Sequence, residues 1–319
     1  MSATANTGSR FKTLPAWLLL GLLACAAPLH AERESNFGRV ILDQCDLIVL
    51  GVAGAQRVNA SDLTRAELTL EQVLYGKDPK RALQVFYSDP ATLKKDEAVR
   101  GLFALKAMSS GGYSLVGKPI LVPESDVEQK DKLQVAKEFI ALETDPEGED
   151  RTQAFWKLLT SHVAQGGYAA QNAAVEFMFV ARDRAGLITE DNFADLRKLI
   201  AASKGLTKQC QADLTLALQG MVEARVKSLK FKRVRRAEKA ADRRAALDDL
   251  KELQKTWPRA FNEADAKLCD ALYDTEKDAQ AQNNLQDLSL EIRLAERDRK
   301  AEEERKAAEA RKKIEHAGG

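Results

Sequence analysis

The sequence predicts an α+β multidomain protein: a small five-stranded β-barrel, then a helical repeat or bundle, then long charged helices in a coiled-coil-like hairpin. Three observations predict it. Apolar residues recur with period two between Cys45 and Val122, and the period moves toward 3.6 after Pro123. Past Lys227 the chain is dominated by Ala, Glu, Lys, Arg, Leu and Asp, with no glycine before Gly318. The expected segments are 1–31 as a signal peptide, 32–122 as the barrel, 123–225 as the helical domain, 226–295 as the hairpin, and 296–319 as a charged single helix or disordered tail.

The first segment follows the order of a secretory signal. Arg10 and Lys12 precede an uncharged apolar run from Leu14 to Leu29, and small residues follow. Its dense core, Leu18 to Ala24, falls short of the roughly 20 apolar residues that cross a bilayer, and Pro28 interrupts any extension. The mature chain is therefore expected outside the cytoplasm, periplasmic or secreted. Ala31 suits cleavage before Glu32, whereas Leu22-Leu23-Ala24-Cys25 resembles a bacterial lipobox in which Cys25 is acylated and anchors the protein to lipid. The plain alternative for Cys25 is an apolar filler of the signal.

Removal of the signal leaves roughly 290 residues, more than one compact core usually holds. Apolar residues make up 45% and charged residues 30%, with a net charge of +1, so no overall charge directs the chain to nucleic acid. Cys45, Cys210 and Cys269 remain, too few and too widely spaced for a disulfide scaffold. A Cys210–Cys269 bridge and three isolated buried thiols are both open.

The barrel strands are read in order, after a short lead-in helix at Asn36–Gln44. Cys45 to Val52 is a continuous apolar run of strand length, and Ala66 to Glu71 alternates, so its two faces should meet core and water. Gly76-Lys77-Asp78-Pro79 supplies a turn before the alternation Leu83, Val85, Tyr87. Leu102–Leu105 and Tyr113–Val116 complete the set across the loop Ser109-Ser110-Gly111-Gly112. Short strands in this number suit a barrel of the oligonucleotide/oligosaccharide-binding (OB) kind, with a sandwich as the competing solution.

Four stretches resemble the netrin-like domain related to tissue inhibitors of metalloproteases: Cys45 to Gly51, Glu71 to Gly76, Gly101 to Leu105 and Tyr113 to Gly117. The resemblance covers about a quarter of the chain. In the inhibitors an N-terminal cysteine blocks the protease metal through its amine and carbonyl. Here the chain would start at Glu32, or at an acylated Cys25, so protease inhibition is not carried over.

Five helices follow. Ser125-Asp126-Val127-Glu128 reads as a capping box ahead of the stripe Val127, Leu133, Ala136, Phe139, Ile140. Phe155 to Val163 marks a second helix ended by Gly166-Gly167, and Ala173 to Ala181 a third ended near Gly186. A fourth starts at Thr189 and stops at Gly205, and a fifth runs from Thr207 to Met221. Pairs begin near Arg151 and Thr189, a repeat of about 38 residues. The stretch resembles HEAT-like repeats at Ala173–Phe177 and Leu187–Leu196, and the resemblance implies a protein-binding scaffold; an irregular bundle is the alternative.

In the tail, Trp257-Pro258 divides one arm, Val226–Lys255, from another starting at Ala260. Leu229, Leu247, Leu250 and Leu253 are expected to face Phe261, Leu268, Leu272, Leu285, Leu288 and Ile292. Beyond Arg293, Glu/Lys and Glu/Arg pairs should hold a solvated helix. One cluster is a candidate anion-binding site: Lys227, Lys230, Lys232, Arg233, Arg235, Arg236, Lys239, Arg243 and Arg244. Its plain alternative is a helix face paired with acids of the second arm. No aromatics interleave with it on the same face, which disfavours nucleic acid.

Reactive constellations are scarce. His30 lies in the signal, His162 on an apolar helix face and His316 in the tail, and no Cys-x-x-Cys, Gly-x-Ser-x-Gly or phosphate-cradling loop occurs. Asp145, Glu147, Glu149 and Asp150 form an acidic loop without the EF-hand pattern. No catalytic residue, metal or cofactor is therefore assigned. The expectation is an exported, non-catalytic scaffold binding another envelope macromolecule. The alternatives are a binder of anionic polymer or membrane surface through residues 227–244, and an enzyme of unrecognised type.

Overall fold

A computed structural model describes residues 37–54, 57–58, 64–79, 82–87, 98–122, 127–144 and 151–317. The expected signal segment with Cys25 and His30, Ser125 and Asp126 of the expected capping box, and the acidic segment 145–150 lie outside the described residues. Within them the chain is an OB-like barrel followed by helices.

The lead-in is a one-turn helix, α1 (Arg39–Leu42), followed by β1 (Leu47–Ala53), β2 (Arg57–Val58), β3 (Thr64–Tyr75), β4 (Leu83–Tyr87), β5 (Val99–Ala107), β6 (Tyr113–Leu115) and β7 (Ile120–Leu121). The sheet runs β1–β3–β4–β6–β5 and closes on itself through β5 and β1. These pairings are antiparallel except β4–β6, which is parallel. Closure leaves no open edge among these strands, so a barrel and not a sandwich solves the edge problem. The short β2 and β7 add to β3 and β5.

Burial explains the two kinds of strand pattern. On β1, Leu47, Val49 and Ala53 fill the barrel with Phe103 and Leu105 of β5, while Ile48 and Leu50 face outward into the core shared with the helices, as do Leu102 and Ala104 of β5. Both faces are dry, hence the unbroken apolar run. On β3, Ala66 and Leu68 are buried while Glu67 and Thr69 are exposed, hence the alternation. Gly51 and Gly101 pair across β1 and β5. A Cβ on Gly51 would lie 2.5 Å from the Thr69 carbonyl oxygen, and one on Gly101 2.7 Å from that of Ile120, so both positions exclude a side chain.

The helices begin with α2 (Val127–Thr144), α3 (Arg151–Gln165), α4 (Gly167–Asp183), α5 (Glu190–Ala202) and α6 (Lys208–Met221). Thr189 and Thr207 cap α5 and α6 by accepting hydrogen bonds from the amides of Asn192 and Cys210. Within each pair α3 packs on α4 and α5 on α6; between pairs α3 packs on α5 and α4 on α6. Two stacked helix pairs result. The chain is pinned to them at its start: the buried Asn172 amide donates to the Phe37 carbonyl at 2.7 Å and accepts from the Phe37 amide at 2.8 Å. Phe37 and the barrel's outward residues join Phe139, Phe155, Trp156 and Phe177 in one apolar cluster that continues to Ile292.

The charged region departs from a two-armed hairpin. The first arm is broken into α7 (Lys227–Arg236) and α8 (Ala240–Thr256), and the second into α9 (Glu263–Tyr273) and α10 (Ala279–Ala317). At the first break the Arg243 guanidinium donates to the carbonyls of Ala237 and Glu238 at 3.0 and 2.8 Å, taking up the groups that α7 leaves open. At the second, the Glu276 carboxylate accepts from the amides of Lys277 and Asp278, and Asp278 caps α10 through Ala281. Leu247, Leu250, Leu253, Phe261, Leu285, Leu288 and Ile292 are buried as expected, with Leu268 and Leu272 half-buried against them. Leu229 turns out to the surface side, and Phe231 and Val234 fill the interior from α7 instead. Residues 303–312 of α10 are solvent-exposed, with i,i+4 pairs Lys306–Glu302 at 2.6 Å and Arg305–Glu309 at 3.9 Å. Among the described residues no helix is long and apolar enough to cross a membrane.

Candidate functional site

The surface features concentrate where α5, α7 and α8 meet. A π-helical turn, Val222–Val226, joins α6 to α7 without ending the helix, and its last residue Val226 and the following Lys227 are both buried. A groove of about 490 Å³ results, with Phe193, Ala194 and Ala201 of α5, Val226, and Leu253 of α8 among its apolar lining. Its rim is charged but paired. Lys230 Nζ sits 2.6 Å from both Glu190 and Asp249 carboxylates, and Arg197 meets Glu252 at 3.2 Å while lying 5.3 Å from the Trp257 ring centroid. Burial would lower the Lys230 pKa, but the hydrogen bonds from Asp249 and Glu190 outweigh it and hold the ammonium above the usual range.

Glu190 also walls a second groove, of about 570 Å³, lined by Leu229, Lys232, Arg233, Arg236, Ala237 and Asp242. On the α9 side of α7 a third, of about 440 Å³, again includes Lys232 and Arg236 together with Arg235 and Asp265. The basic helix is thus a ridge between two grooves.

The nine clustered cations divide into two groups. Lys227 is 8% exposed and donates to the Ala260 carbonyl and to Asp265, each at 2.7 Å. Arg243 forms a two-pronged pair with Glu276 at 2.8 and 2.9 Å, which holds that carboxyl below the usual range. Arg244 reaches Gln280 and Asp278, and Arg233 lies 3.7 Å from Glu190. With Lys230, these residues belong to the packing of the helices. Lys232, Arg235, Arg236 and Lys239 are exposed and have no ion pair or side-chain hydrogen bond among the described residues. The cluster is therefore divided: five members are paired with acids or carbonyls of neighbouring elements, and four have no partner among the described residues.

Other candidates have structural roles. His162 is 1% exposed, its Nε2 is 2.6 Å from Glu138 Oε2, and its ring packs on Phe139, so it ties α3 to α2. Cys210 and Cys269 are free thiols, and the bridge between them is not formed. Cys210 lies on α6, which packs on α4 and α5, whereas Cys269 lies on α9, which packs on α10. Burial pushes Cys45 and Cys210 up to about 11 and Cys269 up to about 12. Among the described residues no group of three or more His, Cys, Asp or Glu side chains is placed to hold a metal ion.

The apolar groove and its acids Glu190 and Asp249 were not visible as a site in the sequence, because the residues that form it come from separate helices and meet only on folding. The local signal was Thr189-Glu190, read as a helix start. No protein-family model matches the chain, and no curated protein matches its sequence.

Proposed function

We propose that the protein is an exported interaction scaffold whose helical region binds another macromolecule of the cell envelope in the groove between α5, α7 and α8. The observation that carries this reading is the groove itself: an apolar floor of helix-surface residues inside a rim of satisfied ion pairs. Such a rim repels neither sign of charge, and such a floor suits an apolar ridge of a partner helix or strand. Within this reading the OB-like barrel is of the netrin-like kind, on the residues from Cys45 to Gly117 that carry the resemblance, and the stacked pairs α3–α4 and α5–α6 are HEAT-like. The barrel then serves as the rigid support of the helical stack, which it joins through Ile48, Leu50, Leu102 and Ala104.

In-cell photo-crosslinking tests it. A photoreactive residue at Ala201 should give one discrete adduct in intact cells, the same probe at Lys312 on the α10 tip should not, and Ala194→Trp should remove the Ala201 adduct by filling the floor. Identical adducts from Ala201 and Lys312, or none from Ala201, would overturn the reading. Mass spectrometry of the mature N-terminus tests export separately, a terminus at Glu32 or an acylated Cys25 being the expected results.

A further inference from the structure

We infer that the solvent face of α7 and the turn after it form a second site, which docks the protein on a membrane surface carrying acidic phospholipid. Lys232, Arg235 and Arg236 stand at i, i+3 and i+4 on α7, and Lys239 follows in the turn to α8. These are the cations left over when the pairs of Lys227, Lys230, Arg233, Arg243 and Arg244 are set aside. Like charges crowded without partners cost electrostatic energy in the free protein, and a surface of opposite charge relieves it.

The chemistry of the face selects the occupant. Phe231 and Val234 point into the core and Leu229 lies half-buried in the wall of the groove beside Glu190, so no fully exposed large apolar residue stands among Lys232, Arg235, Arg236 and Lys239 to centre a protein interface. It has no exposed aromatic ring on which a base could stack. What it has is guanidinium and ammonium groups on a ridge between two grooves, which reach phosphate oxygens in both directions. A sheet of phosphodiester headgroups offers partners to such exposed groups without requiring any insertion. The choice of lipid over duplex nucleic acid borrows from the proposed function its compartment alone.

The test uses the processed protein as recovered from cells and vesicles of phosphatidylcholine with or without about one-third phosphatidylglycerol. A variant with Lys232→Gln, Arg235→Gln, Arg236→Gln and Lys239→Gln is compared with Arg305→Gln, Lys306→Gln, Arg311→Gln and Lys312→Gln, which removes the same charge from the exposed end of α10. All three proteins share one N-terminus, so any lipid or leader there contributes equally. Retention on the anionic vesicles should exceed that on neutral ones, fall steeply between about 0.05 and 0.5 M salt, and drop at least about tenfold in the α7 variant and less than about twofold in the α10 variant. A charge-preserving variant, Lys232→Arg with Arg235→Lys and Arg236→Lys, should bind as the parent does. Equal losses in the α7 and α10 variants, no preference for anionic vesicles, or tighter α7-dependent binding to duplex DNA at the same salt would overturn the site. Should fractionation place the chain in the cytosol while α7-dependent vesicle binding persists, the export reading falls and the membrane site stands.

Discussion

The barrel and the helices α7–α10 contribute to apolar clusters of similar dryness, yet different forces give them their shapes. In the barrel the path of the chain follows from alternation, strand pairing and a pair of facing glycines, with the Arg100–Glu71 pair added between β5 and β3. In α7–α10 the apolar residues say which faces meet, but charged side chains decide where each helix stops. Hydrophobic alternation is a local signal, whereas an ion pair that closes a turn joins residues tens of positions apart.

Removing apolar volume should therefore hurt most in the barrel. Phe103 is 1% exposed at the centre of the barrel interior, so Phe103→Ala should cost about 3 to 5 kcal/mol in urea unfolding, while Glu67→Ala on the exposed face of β3 should stay within about 0.5 kcal/mol. Comparable losses at the two positions would mean that the barrel is not the closed, filled body described above.

The matching experiment among the helices removes a charge. Lys227→Met strands Asp265, which keeps the capping hydrogen bond from the Asn262 amide but loses its cation. About 3 kcal/mol should be lost, and adding Asp265→Asn should restore part of it, because the neutral amide no longer needs the partner. If Lys227→Met is neutral by thermal and chemical melts, ion pairing is not what positions α9 against α7.

This difference also separates what the sequence made legible from what it did not. Each of the five expected strands is present, and α5 and α6 begin directly after Thr189 and Thr207, where the sequence places the starts of the fourth and fifth helices, because those features depend on neighbours a few residues away. The break between α7 and α8 passes through Ala237-Glu238-Lys239, where neither glycine nor proline signals a stop. It is stabilised by Arg243 reaching back to two carbonyls, and Arg243 is itself oriented by Glu276 on another turn. The pairing within the basic cluster was hidden for the same reason: its partners, Glu190, Asp249, Asp265 and Glu276, are found by folding and not by spacing.

The Arg243–Glu276 pair should give this coupling a pH signature. Its carboxyl is held below the ordinary value of 4.5, chiefly by the Arg243 hydrogen bonds against the opposing effect of burial. The unfolded chain then takes up the proton first as pH falls, so the stabilisation is present above about pH 4.5 and is lost below it as the folded carboxyl titrates. Glu71 with Arg100 and Asp270 with Arg293 act in the same direction. The informative quantity is consequently the difference between parent and Arg243→Gln in denaturant melts taken from about pH 7 to about pH 3. The gap should be widest near neutrality and close in acid; a constant gap would show that Arg243 works through packing of its stem and not through charge.

The smallest effect is expected at the cations that no turn uses. Lys232 and Arg235 lie within ten residues of Lys227 on the same helix, but their side chains face water without an acidic partner among the described residues. Replacing both with glutamine should leave the unfolding free energy within about 0.5 kcal/mol of the parent, and any change should be a gain at low salt as mutual repulsion is relieved. A loss as large as that of Lys227→Met would mean that these residues hold the fold. The α7 face would then be part of the helical packing, with nothing left over for a membrane to bind.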